Sequence, residues 1–245
     1  MSHPARRPAI VVAALAIVAA AAGAASPPRT EWGTPDLRGT WNNATLTPME
    51  RPAEMGDRTQ LTEEEAEALR GTGVERILSQ VGNTLEGKTS GELTEIFLDP
   101  GTEVVRTLRT SLVVDPPDGK IPFTKEGRQR QTHSMLQLLA LTGPLNSHED
   151  LHIASRCLWT GNFYAPNPLY LNMHQIFQTP DYVAIVSEIG PQTRIVPLDG
   201  RPPLDEELRF WDGSSRGRWE GDTLVIETAN FDGRNPFAGS TDGLR

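Results

Sequence analysis

The protein is a chain of 245 residues in which 23 lysines and arginines stand against 32 acidic residues, for a formal net charge of −9. The hydrophobic fraction of 37 % is too high for a disordered chain, and a single cysteine excludes an internal disulfide framework or a multi-cysteine metal site. The acidic balance argues against a nucleic-acid partner, because binding to phosphates requires a surplus of cations.

The first 25 residues have the pattern of a secretory signal peptide. Arg6 and Arg7 form a charged start, residues 9–22 form an uncharged apolar run, and small residues at 22–25 offer a cleavage site. The run is shorter than the roughly 20 residues that span a bilayer. We therefore predict a periplasmic or secreted protein with no membrane span after signal removal. The paired arginines leave the Sec and twin-arginine routes both open.

The mature chain is predicted to form one β-rich domain over residues 37–245, after a proline-rich lead-in at 26–36. Helical insertions are expected near residues 62–70, 125–141 and 147–158. The first has the clearest start, because Thr62 is a good N-cap and Glu65 lies at the capping-box position. Before the midpoint, strands are predicted at residues 37–41, 93–98, 103–109 and 111–114.

From Tyr170 onward, apolar and polar residues alternate between closely spaced turns. This pattern predicts strands at 171–178, 182–189, 193–198, 208–211, 216–219 and 223–228. Short turns make consecutive strands antiparallel neighbours, because a parallel crossover needs a dozen residues or more. A meander of this length tends to curl, and closure removes its exposed edges. The predicted fold class is therefore mainly β, an antiparallel meander curling toward a barrel with a few added helices.

Two resemblances accompany this pattern. The GTW triplet at 39–41 resembles the Gly-x-Trp signature of lipocalin-type barrels. Over residues 32–245, stretches such as SLVVDPPDGKIP, QIFQTPDYVAIVSE and SRGRWEGDTLVIETANF resemble a large family of exported bacterial proteins of unknown function. The resemblance implies an exported, lipocalin-like scaffold and transfers no catalytic residue. Members of such families run on past the position of Leu244 and Arg245, so we expect a barrel that this chain leaves incompletely closed.

One motif fits a zinc-hydrolase pattern, since residues 148–152 read H-E-x-x-H. On a helix this spacing brings two imidazoles to one face, with Glu149 as the general base for a zinc-bound water. Asp150 inside the motif and a helix cap just before it are atypical of such a helix. We therefore predict no metal and no other cofactor, and keep a zinc hydrolase at His148 and His152 as a weaker alternative.

The hairpin at 171–189 yields the most specific structural hypothesis. A three-residue turn at 179–181 would pair residue 178 with 182 and residue 174 with 186. Asn172, His174 and Glu188 would then share a mixed polar face, opposite an apolar one. That mixed face is either solvated sheet surface or the lining of a cavity in which His174 and Glu188 exchange protons.

We expect the protein to bind a small amphipathic or aromatic organic ligand, through Asn172, His174, Glu188, Arg194 and Trp211. The first alternative is a cofactor-independent lyase, isomerase or hydrolase, in which His174 and Glu188 form an acid–base pair and Arg194 holds an anionic group. A second alternative is an envelope protein with a structural or partner-binding role. The sequence leaves the oligomeric state open.

Overall fold

The structure is a computed structural model, and it describes residues 27–85, 99–138, 144–156, 158, 172–188 and 192–232. The predicted signal peptide and the predicted strand at 93–98 lie outside the described residues. Within those ranges the chain forms antiparallel sheets together with two α-helices, in agreement with the mainly β prediction. The strands of the described ranges do not close into a barrel.

Helix α1 spans Glu63–Leu85 and is much longer than the predicted segment at 62–70. The predicted capping box is confirmed, because Thr62 Oγ1 accepts the Glu65 N–H at 3.1 Å and the Glu65 carboxylate accepts the Thr62 N–H at 2.8 Å. The helix continues through Gly73, where the side chain of Leu46 comes so close that a Cβ would lie 3.0 Å from its methyl groups. Tertiary packing thus compensates for the low helix propensity of glycine at this position.

One hydrophobic cluster, here called the helix cluster, forms where α1 packs against the loops around it. Its buried members are Leu46, Leu61, Ala66 and Val104. The predicted strands at 103–109 and 111–114 are wrong, because this segment folds into turns. The Leu108 N–H bonds to the Val105 carbonyl at 2.9 Å, and Leu108 itself has a positive φ of 51°, so the apolar run cannot stay extended.

The other helical predictions are confirmed in part. Helix α2 spans Lys125–Leu138, and residues 139–141 of its predicted range lie outside the described residues. The predicted helix at 147–158 is instead a pair of short 3-10 turns, at His148–Asp150 and Ile153–Arg156. A search of the described helices for one long and apolar enough to cross a membrane finds none.

The main sheet has four antiparallel strands in the order β1-β2-β3-β4. These are β1 (Gly39–Asn42), β2 (Met173–Gln178), β3 (Tyr182–Ser187) and β4 (Thr193–Pro197). The predicted meander is therefore confirmed for this part of the chain. β1 and β4 are the edge strands, and β4 is the one that bears on function.

The predicted register between β2 and β3 is wrong by one residue. Gln178 pairs with Val183 and His174 pairs with Ser187, because the turn is shorter than predicted. The Thr179 N–H bonds to the Tyr182 carbonyl at 2.8 Å, so a two-residue turn replaces the three-residue one. Since side chains alternate between faces, this shift moves every residue of β3 to the opposite face from the one predicted.

A second sheet consists of β5 (Ser214–Glu220) and β6 (Thr223–Ala229). The predicted strand at 208–211 is wrong, since only an isolated bridge between Phe210 and Phe231 forms there. β5 packs closely on β4 at Gly217, where a Cβ would lie 2.7 Å from Leu198 and 2.8 Å from Val196. The second hydrophobic cluster, here called the sheet cluster, has buried Val183, Ile185 and Val196 at its centre, with Ile176, Leu198, Leu224 and Ile226 packed around them.

Candidate functional site

A cleft of about 330 Å³ lies between β4 and the segment at 201–215. Its lining combines apolar and polar side chains. The apolar part includes Ile195, Leu204 and Phe210, and the polar part includes Ser187, Arg194 and Ser215. A concave site with an apolar wall and a few convergent polar groups is the usual form of a small-molecule site.

Arg194 is the buried cation of this cleft. The alternation of β4 turns its side chain inward, where the residue is only 9 % exposed. Its Nη1 atom donates to the Asp212 carbonyl at 2.9 Å and to Ser215 Oγ at 2.8 Å. The guanidinium therefore ties β4 to the opposite wall. In this partly desolvated setting a cation attracts an anion more strongly than it would in water.

Behind the cleft, His174 and Ser187 form a hydrogen-bonded cross-strand pair. The distance from His174 Nδ1 to Ser187 Oγ is 3.2 Å, and each residue is 6 % exposed. Burial lowers the pKa of His174, and the carboxylate of Glu188 opposes that shift. His174 therefore favours the neutral imidazole, which can accept a proton. Since Ser187 also lines the cleft, it connects this imidazole to the site.

Glu188 does not face His174 across the strands, because the observed register puts Ser187 in that position. The Glu188 side chain is exposed beyond the end of β3, and its Oε2 atom accepts the Met173 N–H at 3.3 Å. The carboxylate acts on His174 through its charge. The geometry predicted for a His174–Glu188 pair on one mixed face is thus not formed.

The remaining predicted ligand residues lie in two different places. Asn172 is 2 % exposed, and its Nδ2 atom donates to the Asp99 carbonyl at 2.9 Å, so its side chain braces a loop. Trp211 is half-buried between Phe210 and Asp212, both of which line the cleft. Of the predicted set, Arg194 lines the cleft directly, while His174 and Trp211 adjoin residues that do.

The zinc-binding alternative lacks the helix that its spacing requires. His148 lies in the first short turn, which ends when Leu151 takes up an extended conformation before His152. The zinc pattern places its two histidines one turn apart on a continuous α-helix, and no such helix joins His148 and His152. In the ranges that the structure describes, no group of three potential ligands could hold a metal ion.

Several cleft residues were missed from the sequence, chiefly Ser187, Leu204 and Ser215. Ser187 was assigned to the wrong face through the register error. The others belong to the segment that crosses beside β4, and no local pattern predicts that contact. The sequence signal that could have corrected the face of Ser187 is Pro180-Asp181, since these two residues suit a two-residue turn between β2 and β3 as well as a longer one.

A larger and more open cleft of about 780 Å³ lies between the loops at 42–45 and 103–106. Its lining has two charged residues, Glu103, which is ion-paired with Arg70 Nε at 2.9 Å, and Arg106, which is exposed. The cleft beside β4 is the stronger candidate, because it combines a buried cation with an apolar wall.

Comparisons of the chain with protein-family models, with curated proteins and with solved structures give no match. The function is therefore inferred from the geometry and chemistry of the cleft beside β4. The resemblance to exported bacterial proteins stays a prediction from the sequence.

Proposed function

We propose that the protein is exported to the periplasm or the medium and binds a small amphipathic or aromatic organic ligand in the cleft beside β4. The observation that carries this proposal is the buried guanidinium of Arg194 in a cleft that Ile195, Leu204 and Phe210 line with apolar surface. A molecule with an anionic end and an apolar body satisfies both parts of such a site.

The ligand's anionic group is held at Arg194. A guanidinium presents several N–H donors in one plane and matches the geometry of a carboxylate. The ligand's apolar body covers Phe210 and Leu204, which are 45 % and 39 % exposed in the free protein. Removing apolar surface from water contributes about 25 cal/mol per Å², so this contact adds affinity without demanding one particular shape.

The proposal includes a lipocalin-like scaffold, with a small molecule as the partner. Three features support it: the antiparallel meander β1-β2-β3-β4, the close packing of β5 on β4 at Gly217, and the Gly-x-Trp triplet that overlaps the first strand. The ligand binds beside the strand edge, where the segment at 201–215 forms the second wall.

Titration calorimetry and thermal-shift measurements with 4-phenylbutyrate and 4-hydroxyphenylacetate test this function. We expect both ligands to bind and to raise the melting temperature, because a ligand that binds only the folded state stabilises it. Arg194→Gln should weaken carboxylate binding at least tenfold, since it removes the charge-assisted hydrogen bonds. The matched control is Arg70→Gln, which makes the same charge change on α1.

Circular dichroism of both variants separates a lost contact from a lost fold. Failure of every hydrophobic carboxylate and phenol to bind would contradict the proposed function. So would unchanged affinity in a folded Arg194→Gln variant.

A second candidate function is a cofactor-independent hydrolase, lyase or isomerase in which His174 is the base. The supporting observation is the buried His174–Ser187 pair, with a lowered His174 pKa and Ser187 in the cleft lining. A catalytic His174 predicts that His174→Gln abolishes turnover of a bound substrate while binding persists. Equal loss of binding and turnover would assign His174 to structure instead.

A further inference from the structure

β4 is an edge strand of the sheet that the structure describes, and four of its five residues line the cleft. On its inner side the ladder with β3 is bracketed by two hydrogen bonds, from the Ser187 N–H to the Gln192 carbonyl at 3.1 Å and from the Leu198 N–H to the Asp181 carbonyl at 2.8 Å. Because backbone groups alternate in an antiparallel pair, residues 192, 194, 196 and 198 point toward β3. Residues 193, 195 and 197 therefore point away from it.

Among the residues that the structure describes, no strand pairs with the outward backbone groups of β4. Within the described part of the chain, no hydrogen-bond partner is found for the N–H groups of Thr193 and Ile195. Thr193, Ile195 and Pro197 all line the cleft. An open strand edge with unused donors and acceptors is a template for another extended chain.

We propose that the natural ligand of the cleft is an extended peptide segment that adds to β4 as an antiparallel or parallel fifth strand. The inference rests on the proposed function, since it assigns a chemical class to the ligand of the same cleft. The Thr193 and Ile195 N–H groups donate to the peptide's carbonyls, and the carbonyls of the same two residues accept its N–H groups. Strand addition of this kind takes its affinity from the backbone and its specificity from alternate side chains.

The side chains of the cleft define the peptide's composition. A peptide residue beside Ile195 shares that residue's face, where an apolar side chain is favoured, and a residue beside Arg194 shares the face of the guanidinium. The described lining carries Arg194, Arg201 and one acid, Asp212, and Arg201 is already ion-paired with Asp199. Arg194 therefore supplies the buried positive charge of the cleft, which favours a peptide in which an acidic residue beside Arg194 alternates with apolar residues.

The length of the edge limits the length of the bound segment. β4 has five residues and ends at Pro197, which has no N–H to offer to a longer ladder. At about 3.4 Å per residue, a strand of about five residues covers this edge. The wall at 210–215 stands opposite, so a single extended chain fits the cleft better than the sheet edge of a second folded copy.

Binding of a capped six-residue peptide of alternating valine and glutamate to the unmodified protein tests this proposal. Two analogues carry N-methyl groups, one on the valine nitrogens and one on the glutamate nitrogens. Only every second N–H of an added strand faces β4, so one analogue should lose at least tenfold in affinity and the other should bind within about twofold of the parent. A valine–lysine peptide should bind more weakly than the valine–glutamate peptide.

A matched pair of protein variants checks the location. Ile195→Pro removes one of the two outward donors and should weaken peptide binding at least tenfold, whereas Ile195→Val keeps the donor and should bind as the wild type does. The comparison of the two N-methylated peptides uses the unmodified protein, so it still tests strand addition if Ile195→Pro does not fold.

The outcomes separate this inference from the function on which it rests. If 4-phenylbutyrate binds while the peptide does not, or if both methylated peptides bind alike, strand addition is overturned and small-ligand binding survives. If neither kind of ligand binds, both proposals fail. Sedimentation that shows a dimer resistant to excess peptide would assign the edge to a second copy and also overturn the inference.

Discussion

The helix cluster and the sheet cluster of this protein differ in the role of the polar side chains that are buried beside them. The helix cluster buries Leu46, Leu61, Ala66 and Val104, all of them apolar. The sheet cluster buries valine and isoleucine on the same face as His174, Ser187 and Arg194. Polar side chains are buried in both regions, but Arg51 and Thr110 of the first region lie outside the cleft beside β4, whereas Ser187 and Arg194 line it. This difference indicates a division of roles, in which the first region contributes stability and the second holds a ligand.

The buried arginines Arg51 and Arg194 show the same difference between the two regions. Arg51 is 4 % exposed, and its guanidinium donates to Thr110 Oγ1 at 3.2 Å and to the Pro117 carbonyl at 2.9 Å. It is packed so tightly that a Cβ on Gly119 would lie 3.0 Å from its Cβ atom. Arg51 thus braces loops, whereas Arg194 lines a cleft.

The largest expected effect is on stability alone. Leu46→Ala should lower the free energy of unfolding by about 3 kcal/mol, because it leaves a cavity at a fully buried leucine. Its affinity for 4-phenylbutyrate should match that of the wild type. Val196→Ala in the sheet cluster should lower both stability and affinity. Urea denaturation and calorimetry on the two variants would refute the division of roles if Leu46→Ala weakened binding as much as Val196→Ala.

A pair of glycines in positive-φ turns tests the wall opposite β4. Gly213 has φ of 66°, and a Cβ there would lie 2.5 Å from the Ala229 carbonyl oxygen. Gly213→Ala should cost about 2 kcal/mol or more and weaken ligand binding, because the wall must shift. Gly221 has φ of 59° with open space around it, so Gly221→Ala should cost only about 1 kcal/mol. Equal affinities in the two variants would show that the wall plays no part in binding.

The start of α1 gives a smaller effect, confined to the region of the helix cluster. Thr62→Ala removes the cap that accepts the Glu65 N–H, and should cost about 1 kcal/mol of stability. Thr62→Ser keeps the hydroxyl and serves as the control. Ligand affinity should be the same in both variants. A loss of affinity in Thr62→Ala would show that the helix cluster and the cleft are coupled, which would contradict the division of roles.

Most of the architecture could be predicted where local chemistry decides it. The capping box at Thr62 and the closely spaced turns after residue 170 are local signals, and they gave α1 and the meander. The register could not be predicted, because Pro180 and Asp181 suit turns of two lengths and the choice moves Ser187 to the other face. The cleft is also non-local, since its walls come from β4 and from residues 201–215. Arg194 was proposed from the sequence as the contact for an anionic group, although the sequence left its sheet face open, and the structure places it in the cleft lining.

The smallest effect is a dependence of stability on pH. Burial lowers the pKa of His174 below its usual value of about 6.5, so the unfolded chain binds more protons than the folded one as the pH falls through this window. The contribution of the buried, neutral His174 to the free energy of unfolding should be fully present above about pH 6.5 and should decline toward pH 5. Burial shifts His152 in the same direction, so His174→Gln should reduce the slope without removing it.

Urea denaturation at pH 5 and pH 7.5 measures this slope. The carboxyl groups of Glu65 and Asp199, each with a pKa lowered to about 2 by an arginine partner, titrate below that range and do not interfere. An unchanged slope in His174→Gln would show that His174 is not buried as a neutral group.

Backbone amide shifts during titration with 4-phenylbutyrate test the central claim most directly. The claim is that a ligand with an anionic end binds between β4 and the wall at 210–215. The amides of Thr193, Ile195 and Ser215 should then shift together with one dissociation constant, while those around Leu46 stay unchanged. Shifts centred instead on the exposed Phe177 of β2, or on the loops at 42–45, would contradict the claim.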